Sequence, residues 1–151
     1  MKGRTLAAIL TVVLLLALVG QTMRWRDRLT ASRLLANAEA LTLAVAAGQI
    51  PPRALADNLE ALRQAAALDA VQVGIPIARG SQYLLMSRPE PAEQAYLEAL
   101  RLEPKSEIYL DLGRAQWMAG RREEALRNFA LAVRLDPGLV RVLPTGASGA
   151  P

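Results

Sequence analysis

The chain has 151 residues, about the length of one ordinary domain, and contains neither cysteine nor histidine. This composition excludes thiol catalysis, disulfide bonds, iron–sulfur clusters, the usual zinc ligand sets and a serine–histidine dyad. The net charge of +4 arises before residue 34, where Asp27 is the only acidic residue, so the rest of the chain lacks the basic stripe of a nucleic-acid-binding domain. An apolar fraction of 52%, rich in Ala and Leu, favours an all-α fold.

The N-terminal segment has the composition of a membrane anchor. No charged residue lies between Arg4 and Arg24, and the uncharged residues 5–23 would span roughly 28 Å as a helix, close to the thickness of the bilayer core. We therefore predict that residues 1–30 form a single transmembrane helix in the inner (cytoplasmic) membrane with a basic juxtamembrane segment. The predicted membrane-interface residues are Lys2, Arg4, Arg24, Trp25, Arg26 and Arg28.

Two points about this anchor stay open at the level of the sequence. A cleaved signal peptide is the alternative, although a cut after Gly20 would place Leu18 where a small residue is needed. The positive charge is nearly balanced across the span, so the positive-inside rule gives only a weak indication of the side of the membrane on which the domain lies. A short basic head before an apolar run favours a periplasmic domain, and the cytoplasmic side remains the alternative. The lack of cysteine excludes a lipoprotein.

Residues 31–70 predict a helical hairpin, with helices at 31–47 and 53–68 separated by a break at 48–52 that contains Gly48 and two prolines. The hairpin is either a degenerate repeat or an unrelated cap. Because residues 21–47 contain no proline or glycine, the N-terminal helix can continue into this hairpin without a break.

Two copies of one pattern follow, in register at a spacing of 33 residues. The later copy has Gly113, Gly120, Ala125, Phe129, Ala132 and Pro137, and the earlier has Gly80, Tyr83, Ala92, Tyr96, Ala99 and Pro104. Small residues stand where two antiparallel helices approach closely, an aromatic ring fills the space beside them, and Gly120 can end a helix in the left-handed conformation.

These residues resemble the tetratricopeptide repeat. Three departures occur. The turn of the earlier copy, at residues 87–91, contains prolines placed to open its second helix. Gln116 stands where the family prefers an aromatic residue, and Arg79 where it prefers leucine. The resemblance implies an all-α solenoid with two clear repeats and a short C-terminal cap over residues 71–143, preceded by the degenerate hairpin. Residues 138–143 would cover the exposed end of the last repeat, and residues 144–151 are expected to form a loose tail.

The resemblance also implies a concave surface that binds a protein partner. Carried over by position, the partner groove would be lined by Ile77, Ser81, Leu84, Leu85, Glu107, Leu110, Arg114, Trp117 and Met118. Such a groove suits an apolar peptide or helix with an acidic residue near Arg114. The alternative is that Leu84, Leu85 and Met118 belong to the core and that Trp117 packs against Leu139, Val142 and Leu143.

No set of acid, base and nucleophile can be drawn, so we predict no enzyme and no cofactor or metal. The turn at residues 121–124 is expected to be solvated, with charge pairs inside its own helix. We predict a membrane-anchored bacterial adaptor that assembles or stabilises a cell-envelope complex. The alternatives are a permanent accessory subunit of a membrane complex and a periplasmic binding module released by cleavage.

Overall fold

The computed structural model describes the backbone of residues 2–147 and the side chains of residues 10–147. All regular structure in this part of the chain is helical, which agrees with the composition. The six α-helices are α1 (Lys2–Ala46), α2 (Leu55–Leu68), α3 (Gly74–Leu85), α4 (Pro89–Leu102), α5 (Ser106–Met118) and α6 (Arg122–Leu135). Single 3₁₀ segments span Pro52–Ala54, before α2, and Pro137–Val142, after α6.

Consecutive helices pack in pairs, α1 with α2, α3 with α4, and α5 with α6, and we call these pairs the first, second and third hairpins. Neighbouring hairpins are joined by contacts of α1 and α2 with α3 and of α3 and α4 with α5. The core follows this order. Leu35, Leu62 and Ile75 are buried between the first two hairpins, and Tyr96 and Ile108 between the second and third. Phe129 is buried in the third hairpin.

Each of the last two hairpins contains a close approach between a glycine and an aromatic ring. A Cβ atom built on Gly80 would lie 2.6 Å from Cζ of Tyr96, and one built on Gly113 would lie 2.5 Å from Cε1 of Phe129. Interior Cβ atoms do not come so close to a ring, so these two positions require glycine. The rings in turn fill the space left by the missing side chains.

The first helix is only half packed. Its buried side chains begin at Ala31 and include Leu35, Ala38 and Val45, of which Leu35 and Ala38 belong to the same core cluster as Ala31. None of the described side chains at residues 10–30 is buried. We call residues 12–30 the free half of α1. It carries exposed Leu and Val side chains from Val12 to Val19 and an exposed Trp25.

The prediction of an N-terminal transmembrane helix is wrong. Among the described residues, no helix combines the length and the apolar character needed to cross a bilayer. The described apolar run covers only residues 10–19 and is followed by Gly20, Gln21 and Thr22, which is short of the ~20 apolar residues of a spanning helix. Residues 5–9 of the predicted span lie outside the described side chains. Instead, α1 is one long helix that continues into the first hairpin.

Candidate functional site

The candidate site lies on the outer face of α5, at the end of the hairpin stack. Leu110, Arg114 and Trp117 are four and three residues apart, so their side chains share one face of the helix. Leu110 is buried, whereas Arg114 and Trp117 are half-buried. We call these three residues the α5 groove.

A segment of the same chain lies over this groove. Residues 137–147, which we call the strap, begin with the 3₁₀ segment Pro137–Val142. The side chains of Leu139, Leu143 and Ala147 join the cluster that contains Leu110 and Trp117. Ala147 is 5% exposed although it belongs to the expected loose tail, because its methyl group packs in this cluster. Residues 148–151 of that tail lie outside the described residues.

Arg114 bonds to both sides of the groove. Its Nη1 donates to Oδ1 of Asp111 at 2.9 Å, and its Nη2 donates to the carbonyl oxygen of Val142 in the strap at 3.1 Å. Burial raises the pKa of the Asp111 carboxyl, and the neighbouring Arg114 partly opposes that rise. The guanidinium therefore connects a half-buried carboxylate on α5 with the backbone of the strap.

Trp117 lies between the core and the surface. Its ring centroid is 6.2 Å from that of Phe129, which is buried in the third hairpin, and the two ring planes are tilted by 54°. The guanidinium carbon of Arg122 lies 3.6 Å from the centroid of the Trp117 ring, a cation–π geometry. The indole contacts the strap cluster as well as the hairpin, so it is both a packing residue and part of the groove.

Two further residues of the predicted groove lie at its ends. Glu107 is exposed in the first turn of α5, where its own backbone amide and the Ser106 hydroxyl lower the pKa of its carboxyl. Met118 is 49% exposed at the last residue of α5. Both side chains are accessible to a partner.

The predicted groove residues on α3 lie mainly between hairpins. Ile77 and Leu84 pack against the cluster of Tyr96, Ile108 and Leu112, and Leu85 is half-buried. The Ser81 hydroxyl is 3.2 Å from the Tyr96 hydroxyl and donates to the carbonyl of Ile77. Burial raises the pKa of the Tyr96 phenol, so this ring stays neutral and hydrogen-bonded. These α3 residues support the position of α5.

The sequence reasoning missed a buried polar network between the second and third hairpins. Nε2 of Gln116 donates to Oε1 of Glu93 at 3.0 Å, and Oε1 of Gln116 accepts from Asn128 at 2.7 Å. Gln116 is 5% exposed and Glu93 7% exposed. The departure from an aromatic residue at position 116 was visible in the sequence, but its partner on α4 was not. Arg79, another departure, forms an ion pair with Glu98 at 2.9 Å.

The turn at residues 121–124 does more than form charge pairs within its own helix. Arg121 bonds to the buried Glu93 on α4, and this bond raises the pKa of the Arg121 guanidinium. Its pair with Glu124 is longer, at 3.9 Å. Because Arg122 also stacks on Trp117, this turn joins the second hairpin to the α5 groove.

The predicted membrane-interface residues are distant from this site. Arg24, Trp25 and Arg28 line an open depression with Gln21 on the free half of α1, and Arg26 is exposed beside it. Lys2 and Arg4 lie outside the described side chains. The contact of these residues with lipid head groups stays a prediction.

The side chains that the α5 groove presents are apolar, aromatic and cationic. Within residues 10–147 no group of His, Cys, Asp and Glu side chains is close enough to hold a metal ion. The α5 groove offers apolar contact surface, a guanidinium that already donates to the strap carbonyl and an aromatic ring, which are groups that contact peptide segments.

Comparison with known proteins assigns no family to this chain. No protein-family model matches it, and no curated protein shows significant similarity. The resemblance to the tetratricopeptide repeat therefore stays a prediction from the residues, and function has to be argued from the α5 groove itself.

Proposed function

We propose that this protein is an interaction adaptor that binds an apolar peptide segment of a partner protein in the α5 groove. One observation carries the proposal: the groove already holds a peptide segment, because the strap packs Leu139 and Leu143 against it and accepts a hydrogen bond from Arg114. A surface that packs Leu139, Leu143 and Ala147 of its own chain has the shape and polarity for a similar segment from elsewhere.

The groove also defines the chemistry of the partner. Leu110 and Trp117 require apolar side chains, and Trp117 is the large aromatic residue that would contribute most to affinity. Arg114 requires an acceptor, and a carboxylate would bind it more strongly than the carbonyl of the strap does, because the bond becomes charge-assisted on both sides. The expected ligand is a short apolar segment with one acidic residue.

Peptide selection on the folded chain tests the proposal. We expect a random peptide library to yield apolar sequences with one acid, and Trp117→Ala and Arg114→Ala each to weaken their binding about tenfold or more, as removal of an interface hot spot does. Met118→Ala, at the exposed end of the groove, is the control with a small effect. Unchanged binding by folded Trp117→Ala and Arg114→Ala variants, checked by circular dichroism, would exclude this groove as the site.

A second candidate is a permanent subunit of a larger assembly. The exposed apolar side chains on the free half of α1 favour it, because such a continuous apolar surface usually contacts another molecule. Purification distinguishes the two candidates. A complex of fixed stoichiometry that survives salt and dilution indicates a subunit, whereas partners lost on dilution indicate an adaptor.

A further inference from the structure

We propose that the strap is an intramolecular competitor for the α5 groove, so that a partner peptide binds by displacing residues 137–147 from Arg114 and Trp117. This inference rests on the proposed function, because it concerns the regulation of the same groove. It adds that the groove is closed in the free protein and that the partner reproduces the contacts of the strap.

The position of the strap supports competition. In the hairpin stack α1 contacts α3 and α3 contacts α5, so the first helices follow one another. After α6 no further α-helix is present among the described residues, and the strap, which begins with a 3₁₀ segment, lies on the face of α5 that carries Leu110 and Trp117. It therefore occupies the position where another chain segment would continue the stack.

The strap is held weakly compared with the helices. Its regular backbone is limited to the 3₁₀ segment Pro137–Val142, after which the Ala147 N–H bonds to the Pro144 carbonyl in a turn, whereas α6 is a continuous α-helix. Val140, Arg141 and Val142 are exposed, and only Ala147 is fully buried. A segment with few buried side chains opens locally at a lower free energy than the hairpins unfold.

Arg114 provides the exchangeable polar contact. Its bond to Asp111 lies within α5 and does not depend on the strap, whereas its other bond goes to the Val142 carbonyl. When the strap leaves, the guanidinium keeps its position through Asp111 and presents its second group of donors to an incoming acceptor. The groove is thus preorganised for the ligand that replaces the strap.

The test uses the full chain and a fluorescein-labelled synthetic peptide with the sequence of residues 137–147. In the released variant Leu139→Asn and Leu143→Asn remove the two apolar anchors of the strap. The matched control, Val140→Asn and Val142→Asn, makes two apolar-to-Asn changes in the same segment at side chains that are 45% and 48% exposed. Fluorescence anisotropy measures peptide binding to each.

We expect the released variant to bind the peptide about tenfold more tightly than the wild type and the control, because an intact strap that occupies the groove about nine-tenths of the time lowers the apparent affinity by that factor. Adding Arg114→Ala or Trp117→Ala to the released variant should weaken binding. Equal affinity of the released and control variants for the peptide overturns the proposal. An affinity of the released variant that is unchanged by both Arg114→Ala and Trp117→Ala overturns it as well.

Hydrogen exchange on the unmodified chain provides a second measurement that needs no substitution. We expect the amides of Leu139 and Ala147 to exchange at least about a hundredfold faster than those of Phe129 and Ala132 in α6. Equal protection would show that the strap opens only when the hairpin unfolds, which contradicts displacement.

The two proposals fail differently. If peptides selected on the chain bind the released and control variants with equal affinity but still require Arg114 and Trp117, the adaptor function stands and the competition is refuted. If binding does not depend on the groove residues in either variant, the proposed site itself is refuted.

Discussion

Two glycines determine how closely the helices of the last two hairpins approach each other. Gly80 faces the ring of Tyr96 and Gly113 that of Phe129, at distances that no Cβ atom could tolerate. Both pairs were visible in the sequence, because a glycine and an aromatic residue recur in register 33 residues apart. The repeated spacing of glycine and aromatic residue in the sequence therefore reflects a steric requirement of helix packing.

We expect Gly113→Ala to lower the free energy of unfolding by about 1–3 kcal/mol, because the new methyl group would overlap the Phe129 ring and crowd the carbonyl of Ala125. This loss exceeds the roughly 1 kcal/mol that alanine gains over glycine in helix propensity. Thermal unfolding followed by circular dichroism measures it. Gly20→Ala, with no atom within 4 Å of the built Cβ, is the control that should cause no loss. Equal stability of the two variants would contradict the steric explanation.

The half-buried Asp111 carboxyl makes stability depend on pH. Its pKa is raised in the folded protein, so the folded state binds this proton more readily than the unfolded state, and stability falls as pH rises from the ordinary pKa of 3.8 through the raised value. We therefore expect Asp111→Asn to unfold at higher denaturant concentration than the wild type at pH 7 and to lose this advantage in acid.

Glu107→Gln is the control for Asp111→Asn, because the pKa values of the two carboxyl groups are shifted in opposite directions. The pKa of Glu107 is lowered by its own backbone amide and by Ser106, so its contribution to stability is present above the ordinary pKa of 4.5 and is lost as pH falls through the lowered value. This variant should be less stable than the wild type at neutral pH and equal to it in acid. Urea titrations at several pH values check both variants, and a common sign for the two would contradict these assignments.

At the scale of elements, the turns of the second and third hairpins place different residues at the same left-handed backbone position. Gly120 ends α5 with φ at +79°, as its position in the pattern predicts. Thirty-three residues earlier the same place is occupied by Ser87, which adopts φ at +55°. A side chain in this left-handed region costs energy that glycine avoids. The second hairpin therefore carries backbone strain at its turn that the third does not.

We expect Ser87→Gly to raise the free energy of unfolding by about 0.5–1 kcal/mol, because glycine adopts the left-handed conformation without steric cost. The reciprocal change, Gly120→Ser, should lower it by a similar amount, since no other atom lies near that position and only the backbone responds. Chemical denaturation measures both. Two shifts of the same sign would contradict the explanation.

The elements also show where sequence reasoning ends. Local signals predicted the helices, since proline, glycine and apolar spacing act within a few residues. The network of Glu93, Gln116 and Asn128 joins residues on three helices, and no local pattern links them. The prediction that the N-terminal helix spans a membrane was wrong because the segment lacks charge over a sufficient length but its purely apolar run is too short.

At the scale of the whole molecule, the candidate site was only partly predictable. The positions of Leu110, Arg114 and Trp117 on one face follow from helix periodicity, and a covering role for residues 138–143 follows from the exposed end of the stack. The bond from Arg114 to the Val142 carbonyl and the burial of Ala147 depend on the path of an irregular segment. Such paths are set by tertiary contacts, which one sequence does not reveal.

The free half of α1 predicts an uneven distribution of stability along one helix. We expect Leu35→Ala to lower the free energy of unfolding by about 2–5 kcal/mol, because this side chain is buried against Gly74 between the first two hairpins. The same change at Leu14, which is 74% exposed, should alter it by less than about 0.5 kcal/mol. Urea unfolding compares them, and a large loss for Leu14→Ala in the isolated chain would show that the free half is packed after all.

The continuity of α1 from its free half into the first hairpin has a geometric consequence. An α-helix rotates by roughly 100° per residue, so the number of residues between Trp25 and Ala31 sets the angular position of Trp25 and its neighbouring arginines around the helix axis, relative to the hairpin stack. Insertion of two residues there would rotate these side chains by roughly 200° while lengthening the helix by only about 3 Å. A molecule that binds the free half of α1 would therefore determine the orientation of the third hairpin, at the other end of the stack.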